Sequence, residues 1–224
     1  MRVSLRFFIF VFACFCVGSG CASTTKDPLC FGNREIITTN HGVKIPLYNA
    51  NPEERYWVEK HIAMMTEKTQ RSITLIRFVG KDEKHFKVDA EAAHCEDNRH
   101  ICIRSERFRP IDVNHEAAHA LTYDLPSTSL REWEAIAGEV YGDNHYQFGH
   151  FYPINGLLDH YASRSAWEDI AIWVGSIYSA ISNDYYGIFR RIEKDPRYLR
   201  KLDFLLKWEY IDQTAYDKIK PLLR

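Results

Sequence analysis

The chain has 224 residues, 46% of them hydrophobic, with 29 lysines and arginines against 30 aspartates and glutamates and a formal net charge of −1. That length suits one domain with a sizeable core or at most two small ones, and we read one, over residues 33–224. The near-neutral balance supplies no basic field and no nucleic-acid-binding pattern occurs, so nucleic acid is not an expected partner.

Residues 1–20 stand apart from that domain. Arg2 and Arg6 precede an unbroken apolar run from Phe7 to Val17, followed by Gly18-Ser19-Gly20-Cys21. This is the order of a signal peptide: charged region, apolar region, small-residue processing site. The apolar run is too short to span a bilayer comfortably. The Gly18-to-Thr24 stretch resembles a bacterial lipoprotein signal, in which the cysteine becomes the lipidated first residue, although Gly18 stands where such signals usually carry an aliphatic side chain. The resemblance implies export to the cell envelope, with a membrane anchor at Cys21 on the outer membrane or periplasmic face. Plain secretion is the alternative. Export also implies an oxidising compartment. Cys95 and Cys102 flank a turn-like segment whose ends a disulfide could pin, leaving Cys30 free or paired with one of them. No C-x-x-C pair occurs, so these cysteines do not read as zinc ligands.

Residues 21–32 form a short polar tether. Glu35–Thr38 and Val43–Tyr48, separated by Asn40-His41-Gly42, predict a hairpin. Asn51 as cap and Pro52 at the first position open a helix expected to run to Thr69, with Tyr56, Trp57, Ile62, Ala63 and Met64 among its buried residues. Ser72–Val79 is the clearest strand, a shorter extended piece follows around Phe86–Val88, and His100–Ser105 alternates as another strand. The last reads either as an edge strand able to pair with an extended substrate or as an interior strand.

Next comes the segment with the most chemistry in it, Arg109–Tyr123, which holds His115, Glu116 and His119 in the pattern H-E-x-x-H. Pro110 suits a first helical turn, Asp112 favours the positive end of the helix, and Leu125-Pro126 closes it. Two histidines four apart lie on one helical face, one turn above the other, so both imidazoles can reach one zinc ion. The intervening glutamate points about a quarter-turn away, where it can take a proton from a metal-bound water. Val113, Ala117, Ala120 and Leu121 form an apolar face, while His115, Ala118, His119 and Thr122 are expected on another face that opens to a cleft.

From Ser127 the chain reads as almost wholly helical. Ser129-Leu-Arg-Glu132 is a capping box opening a helix that Gly142 ends. Asp143–Tyr152 reads as a surface loop near the cleft. A short helix is expected over Leu157–Tyr161, then a longer one from Ala166 to about Ile181 with an apolar stripe from Trp167 to Ile181. Helices over Tyr185–Lys194, Pro196–Lys207 and Gln213–Leu222 complete the chain.

A catalytic zinc keeps three protein ligands and a water, so the histidines need a partner. Thr122 and Leu125 stand where the metzincin glycine and third histidine would be. Glu168 is the first choice, with Ala171 and Gly175 along the same side of its helix as small residues that permit close approach to the metal helix. Ser165-Ala-Trp-Glu168 is also a capping-box pattern, which would turn that carboxylate to its own backbone. Glu134, on the helix after the motif, is the rival.

The segment Tyr161-Ala-Ser-Arg-Ser-Ala-Trp-Glu168-Asp-Ile-Ala171 resembles the second motif of bacterial zinc-binding metallopeptidases, where an aromatic-Glu-Asp-aromatic-Ala stretch opens a helix carrying the ligand glutamate. It is similar, too, to lethal-factor-type toxin metalloproteases, in which a tyrosine precedes the ligand glutamate by seven residues. The resemblance implies a gluzincin-like zinc peptidase with a zincin-like α+β fold: a small mixed sheet in the N-terminal half, the active-site helix, and a mostly helical C-terminal half. It further implies that His115, His119 and Glu168 bind Zn2+, Glu116 is the general base, Tyr161 stabilises the oxyanion, and the substrate is a peptide or protein. Ile172 stands where many gluzincins carry an aspartate, leaving Asp169 and Asp112 as the candidates for orienting a metal histidine. The other reading is a lipid-anchored envelope binding or scaffold protein whose zinc site is structural or vestigial.

Overall fold

The computed structural model describes residues 33–80, 92–94, 99–142, 153–192 and 194–223. The signal peptide and anchor expected over 1–21, the tether, Phe86–Val88, the loop over 143–152, Cys30 and Cys95 all lie outside the described residues. The rest is a mixed α+β unit built on a five-stranded sheet.

The hairpin forms as the sequence predicts. β1 (Arg34–Thr38) pairs antiparallel with β2 (Lys44–Tyr48), and the turn uses Gly42 at φ +74°, a conformation that favours glycine. α1 (Pro52–Ala63) starts at a complete capping box: Asn51 Oδ1 accepts from the Glu53 and Glu54 amides, and Glu54 Oε2 accepts from the Asn51 amide. The expected single helix to Thr69 is two. α1 ends at Ala63 and α2 (Glu67–Ser72) restarts behind Thr66, whose hydroxyl accepts from the Thr69 amide and donates to the Glu209 carbonyl. Gln70 Nε2 then donates to the Ile62 and Met65 carbonyls that the break leaves open. Within α1 the buried set is Glu54, Val58, His61 and Ile62, whereas Tyr56 and Ala63 are exposed.

β3 (Leu75–Val79) lies parallel to β2; β4 (Ala92–His94) and β5 (His100–Arg104) complete the order β1-β2-β3-β5-β4, with β5 parallel to β3 and antiparallel to β4. β5 is therefore interior, and the edge role considered for His100–Ser105 does not hold, because β4 covers that side. Cys102, on β5, is disulfide-bonded.

α3 (Pro110–Asp124) carries the H-E-x-x-H pattern. α4 (Ser127–Ala137) opens three residues earlier than expected, capped at Pro126 rather than Ser129, whose Oγ is bonded back to the Pro126 carbonyl, and it closes at Gly138 rather than Gly142. In place of a helix at Leu157–Tyr161 there is a tight turn through Asn155 and Gly156, both at positive φ, then a 3-10 turn at Tyr161–Arg164. α5 (Ala166–Asn183) follows, as expected. The helix expected at 185–194 shrinks to a 3-10 turn, Phe189–Arg191, and Phe189 anchors it in the core. α6 (Pro196–Lys207) and α7 (Gln213–Ile219) end the fold. Among the described residues no helix is long and apolar enough to cross a membrane.

One core joins the two halves. Ile45, Leu47, Ile76, Phe78, Ile101 and Ile103 of the sheet meet Val58 and Ile62 of α1 and Val113, Ala117 and Leu121 of α3. α3 also packs against α2 and β5, and most extensively against α5. Burying this much aliphatic surface, at about 25 cal/mol per Å2, is what fixes α3 within the fold.

Candidate metal centre

The start of α3 is set by Arg109 and Asp112. The Asp112 carboxylate accepts from the Arg109 amide and guanidinium, each at 2.9 Å, and Pro110 occupies the first turn. The predicted apolar face is buried: Val113, Ala117 and Ala120 are 0% exposed and Leu121 1%. Burial extends further round than expected, because Ala118 and Thr122 are also inside, with the Thr122 hydroxyl bonded to the Ala118 carbonyl and 2.7 Å from the Tyr210 hydroxyl. The α3 positions that keep some exposure are His115 and His119, together with Pro110 and Ile111 at its start and Tyr123 and Asp124 at its end.

α5 lies antiparallel to α3. Gly175 sits against Ile111 near the start of α3, while Glu168, two turns earlier in α5, faces His115 and His119. A Cβ on Gly175 would stand 3.2 Å from Ile111 Cγ1, so the absent side chain permits the approach that the sequence suggested for Ala171 and Gly175.

Three ligand atoms converge across this interface. His115 Nε2 and His119 Nε2 are 3.1 Å apart, and Glu168 Oε2 lies 3.2 Å from the first and 3.4 Å from the second. A tetrahedral ion with bonds of about 2.0–2.1 Å holds its ligand atoms about 3.3 Å from one another. The three sides of the triangle fit that value, and Glu168 Oε2 is buried with no hydrogen bond of its own. The donor set of two imidazoles and one carboxylate suits zinc. Side-chain exposures of 18%, 12% and 23% leave the group partly open to solvent.

The capping-box alternative for Glu168 does not form. Ser165 Oγ accepts from the Glu168 amide at 3.3 Å, but the Glu168 carboxylate is turned to the histidines. Glu134 is exposed on α4 and outside the group, so the structure brings Glu168 and not Glu134 to the histidines. Burial would raise the Glu168 pKa, but pairing with His115 and His119 outweighs it and holds the carboxyl well below the usual range. Burial likewise opposes protonation of His115, yet the carboxylates of Glu168, Glu116 and Asp112 prevail and its pKa is raised.

Glu116 is buried at 6% exposure beside His115 and outside the ligand triangle. Tyr161 is present too: its hydroxyl donates to Glu168 Oε1 at 3.4 Å and its ring centroid is 6.4 Å from that of His115. Burial and the Glu168 charge raise its pKa, so the hydroxyl keeps its proton. The exposed Arg164 lies over the Tyr161 ring at 4.9 Å.

Two buried polar pairings around the centre, Asp169 with Lys201 and His61 with Asn114, are not those the sequence suggested. Asp169 does not face a histidine; it is buried behind Glu168 against Trp133, Tyr141 and Lys201. Lys201 continues the apolar register of Tyr198, Leu202 and Leu205, which was the available signal. On the other side His61 of α1 is hydrogen-bonded through Nδ1 to Oδ1 of Asn114, the residue before His115. No family model, no curated protein and no solved structure matches the chain.

Proposed function

We propose that the protein is a zinc-dependent metallopeptidase of the bacterial cell envelope with a zincin-like fold, acting on a peptide or protein substrate. The observation that carries this reading is the triangle of His115 Nε2, His119 Nε2 and Glu168 Oε2, with sides of 3.1–3.4 Å. Among the described residues the metal-binding group has three members, the number found in catalytic sites, where structural sites close with a fourth protein ligand.

When bound, zinc would acidify a water and polarise a substrate carbonyl. Two neutral imidazoles and one carboxylate would leave the centre net positive, which favours an oxyanion. Glu116, buried one residue from a ligand, fits the general base: its carboxylate takes the proton of the attacking water and returns it to the leaving amine as the C–N bond breaks. Tyr161, whose hydroxyl stays protonated beside Glu168, fits the donor to the carbonyl oxygen as charge develops there. Export and lipidation at Cys21 belong to the same reading. Arg2, Arg6 and the Phe7–Val17 run support them, as does the disulfide at Cys102, a feature of oxidising compartments.

The test is Glu116→Gln assayed on a peptide library. Hydrolysis should fall by about 10²–10⁴, the usual contribution of general acid–base catalysis, while zinc stays bound. Full activity in that variant would refute the mechanism. Zinc-loaded wild-type protein that cleaves no peptide would favour the binding or scaffold reading.

A further inference from the structure

The first turn of α5 presents two adjacent carboxylates in different directions. Glu168 faces the histidines. Asp169 is fully buried, and its Oδ2 receives Trp133 Nε1 at 2.9 Å, the Tyr141 hydroxyl at 2.6 Å and the Lys201 ammonium. Lys201 is equally buried, donates to the Gly156 carbonyl at 2.8 Å and lies 5.0 Å from the centroid of the Trp133 ring. One side chain thus gathers α4, the segment after it, the Asn155-Gly156 turn and α6 behind the residue that faces the metal site.

Stability alone is a poor reason for this cluster, since well-packed apolar residues in place of a buried ion pair are often as stable or more so. The three donors converge on Oδ2, while Oδ1 has no hydrogen-bond partner. Such a fixture holds one atom in place from several sides, which constrains how α5 is rotated about its own axis. Glu168 needs that constraint, because apart from the His115 and His119 contacts its carboxylate receives, among the described residues, the long bond from Tyr161, and Ser165 holds its amide instead. On a helix whose radius with side chains is about 5–6 Å, 10° of axial rotation moves a side-chain tip by about 1 Å. Metal–ligand distances tolerate about 0.2 Å.

We propose that Asp169, anchored by Lys201, Trp133 and Tyr141, is a positioning residue that sets the orientation of α5 and so holds Glu168 on the metal site. This rests on the zinc-site reading above. It predicts that loosening the anchor weakens metal binding in protein that is still folded.

The experiment compares the full-length wild type, His119→Ala, Asp169→Asn and Tyr141→Phe, each held well below its melting temperature. Zinc affinity is read by competition with a chromophoric chelator, and coordination by the d–d absorption of the Co2+-substituted protein. Asp169→Asn should weaken zinc binding about 10–100-fold, the usual effect of losing an outer partner of a ligand, and should change the cobalt spectrum. Tyr141→Phe, which removes one donor at a part-buried position, should shift both in the same direction by less. A folded Asp169→Asn protein with wild-type affinity and spectrum would overturn the proposal, since a purely structural pair would lower the melting temperature and leave both readouts alone. If Asp169→Asn does not fold, Tyr141→Phe carries the test, and wild-type values there overturn it. Wild-type protein that binds no zinc would sink the metal-site reading, and the present inference with it. Zinc bound by wild type, lost in His119→Ala and unchanged in Asp169→Asn would sink this inference alone.

Discussion

Gly175 is where the spacing between α3 and α5 can be varied without touching His115, His119 or Glu168. A Cβ built there meets Ile111 Cγ1 at 3.2 Å, Cδ1 at 3.6 Å and the Ile111 carbonyl at 3.7 Å. Gly175→Ala therefore sets two effects against each other. A mid-helix glycine gives up about 1 kcal/mol relative to alanine, and one added methyl in a tight contact costs about 1 kcal/mol when its neighbour can give. Ile111 is only partly buried and can shift, so the two should nearly cancel. Gly175→Val adds two more carbons against the same side chain and backbone, with a cost of about 3 kcal/mol. At about 2–4 °C per kcal/mol for a chain of this size, the valine variant should melt about 6–12 °C below wild type and the alanine variant within about 4 °C of it. Urea unfolding gives the free energies and zinc titration reads the site, where the valine variant should also bind more weakly. A valine variant as stable as wild type, with the same zinc affinity, would show that α3 and α5 are not held together at Gly175 and would refute the reasoning.

Tyr161→Phe should lower kcat by about 10²–10³ and leave zinc content and melting temperature nearly unchanged, because the bond it loses is long at 3.4 Å; an unaltered kcat would remove Tyr161 from the mechanism. His61 is buried, which lowers its pKa against the opposing bond to Asn114, with Lys60 lowering it further. A base depressed in the folded state binds fewer protons there than in the unfolded chain, so stability is retained above the ordinary value of 6.5 and lost as pH falls from there towards the folded pKa. Melting curves between pH 8 and pH 5 should therefore fall more steeply for wild type than for His61→Gln, by up to about 1.4 kcal/mol per pH unit. Parallel curves would contradict this.

The centre was legible where chemistry constrains residue type at fixed spacing. His115, Glu116 and His119 lie within one helical turn of each other, so the sequence alone put the two imidazoles on one face. Glu168 was harder, because the Ser165-to-Glu168 spacing is compatible with a cap as well as with a carboxylate facing the histidines, and its direction depends on how α5 meets α3. The apolar half of the α3 pattern was read correctly, but Ala118 and Thr122 are covered as well. Their burial depends on tertiary neighbours such as Tyr210, 88 residues beyond Thr122, and local periodicity does not report these. The long first helix divided at Met64–Thr66 for a similar reason, since the Thr66 hydroxyl bonds a carbonyl 143 residues away. The interior place of β5 follows from β4, a three-residue strand too short to give a pattern. Lys201 and His61 sit at apolar positions of their helices, and a charged or polar residue in such a register marks a buried partner before the partner is known.

The most direct test of the metal centre is the metal content, by mass spectrometry, of purified wild-type protein beside His119→Ala, Glu134→Ala and Glu168→Ala. The account predicts near-stoichiometric zinc in wild type and Glu134→Ala, and its loss in His119→Ala and Glu168→Ala. Wild-type protein that holds no zinc after loading, or zinc that survives removal of Glu168 and is lost with Glu134, would contradict it.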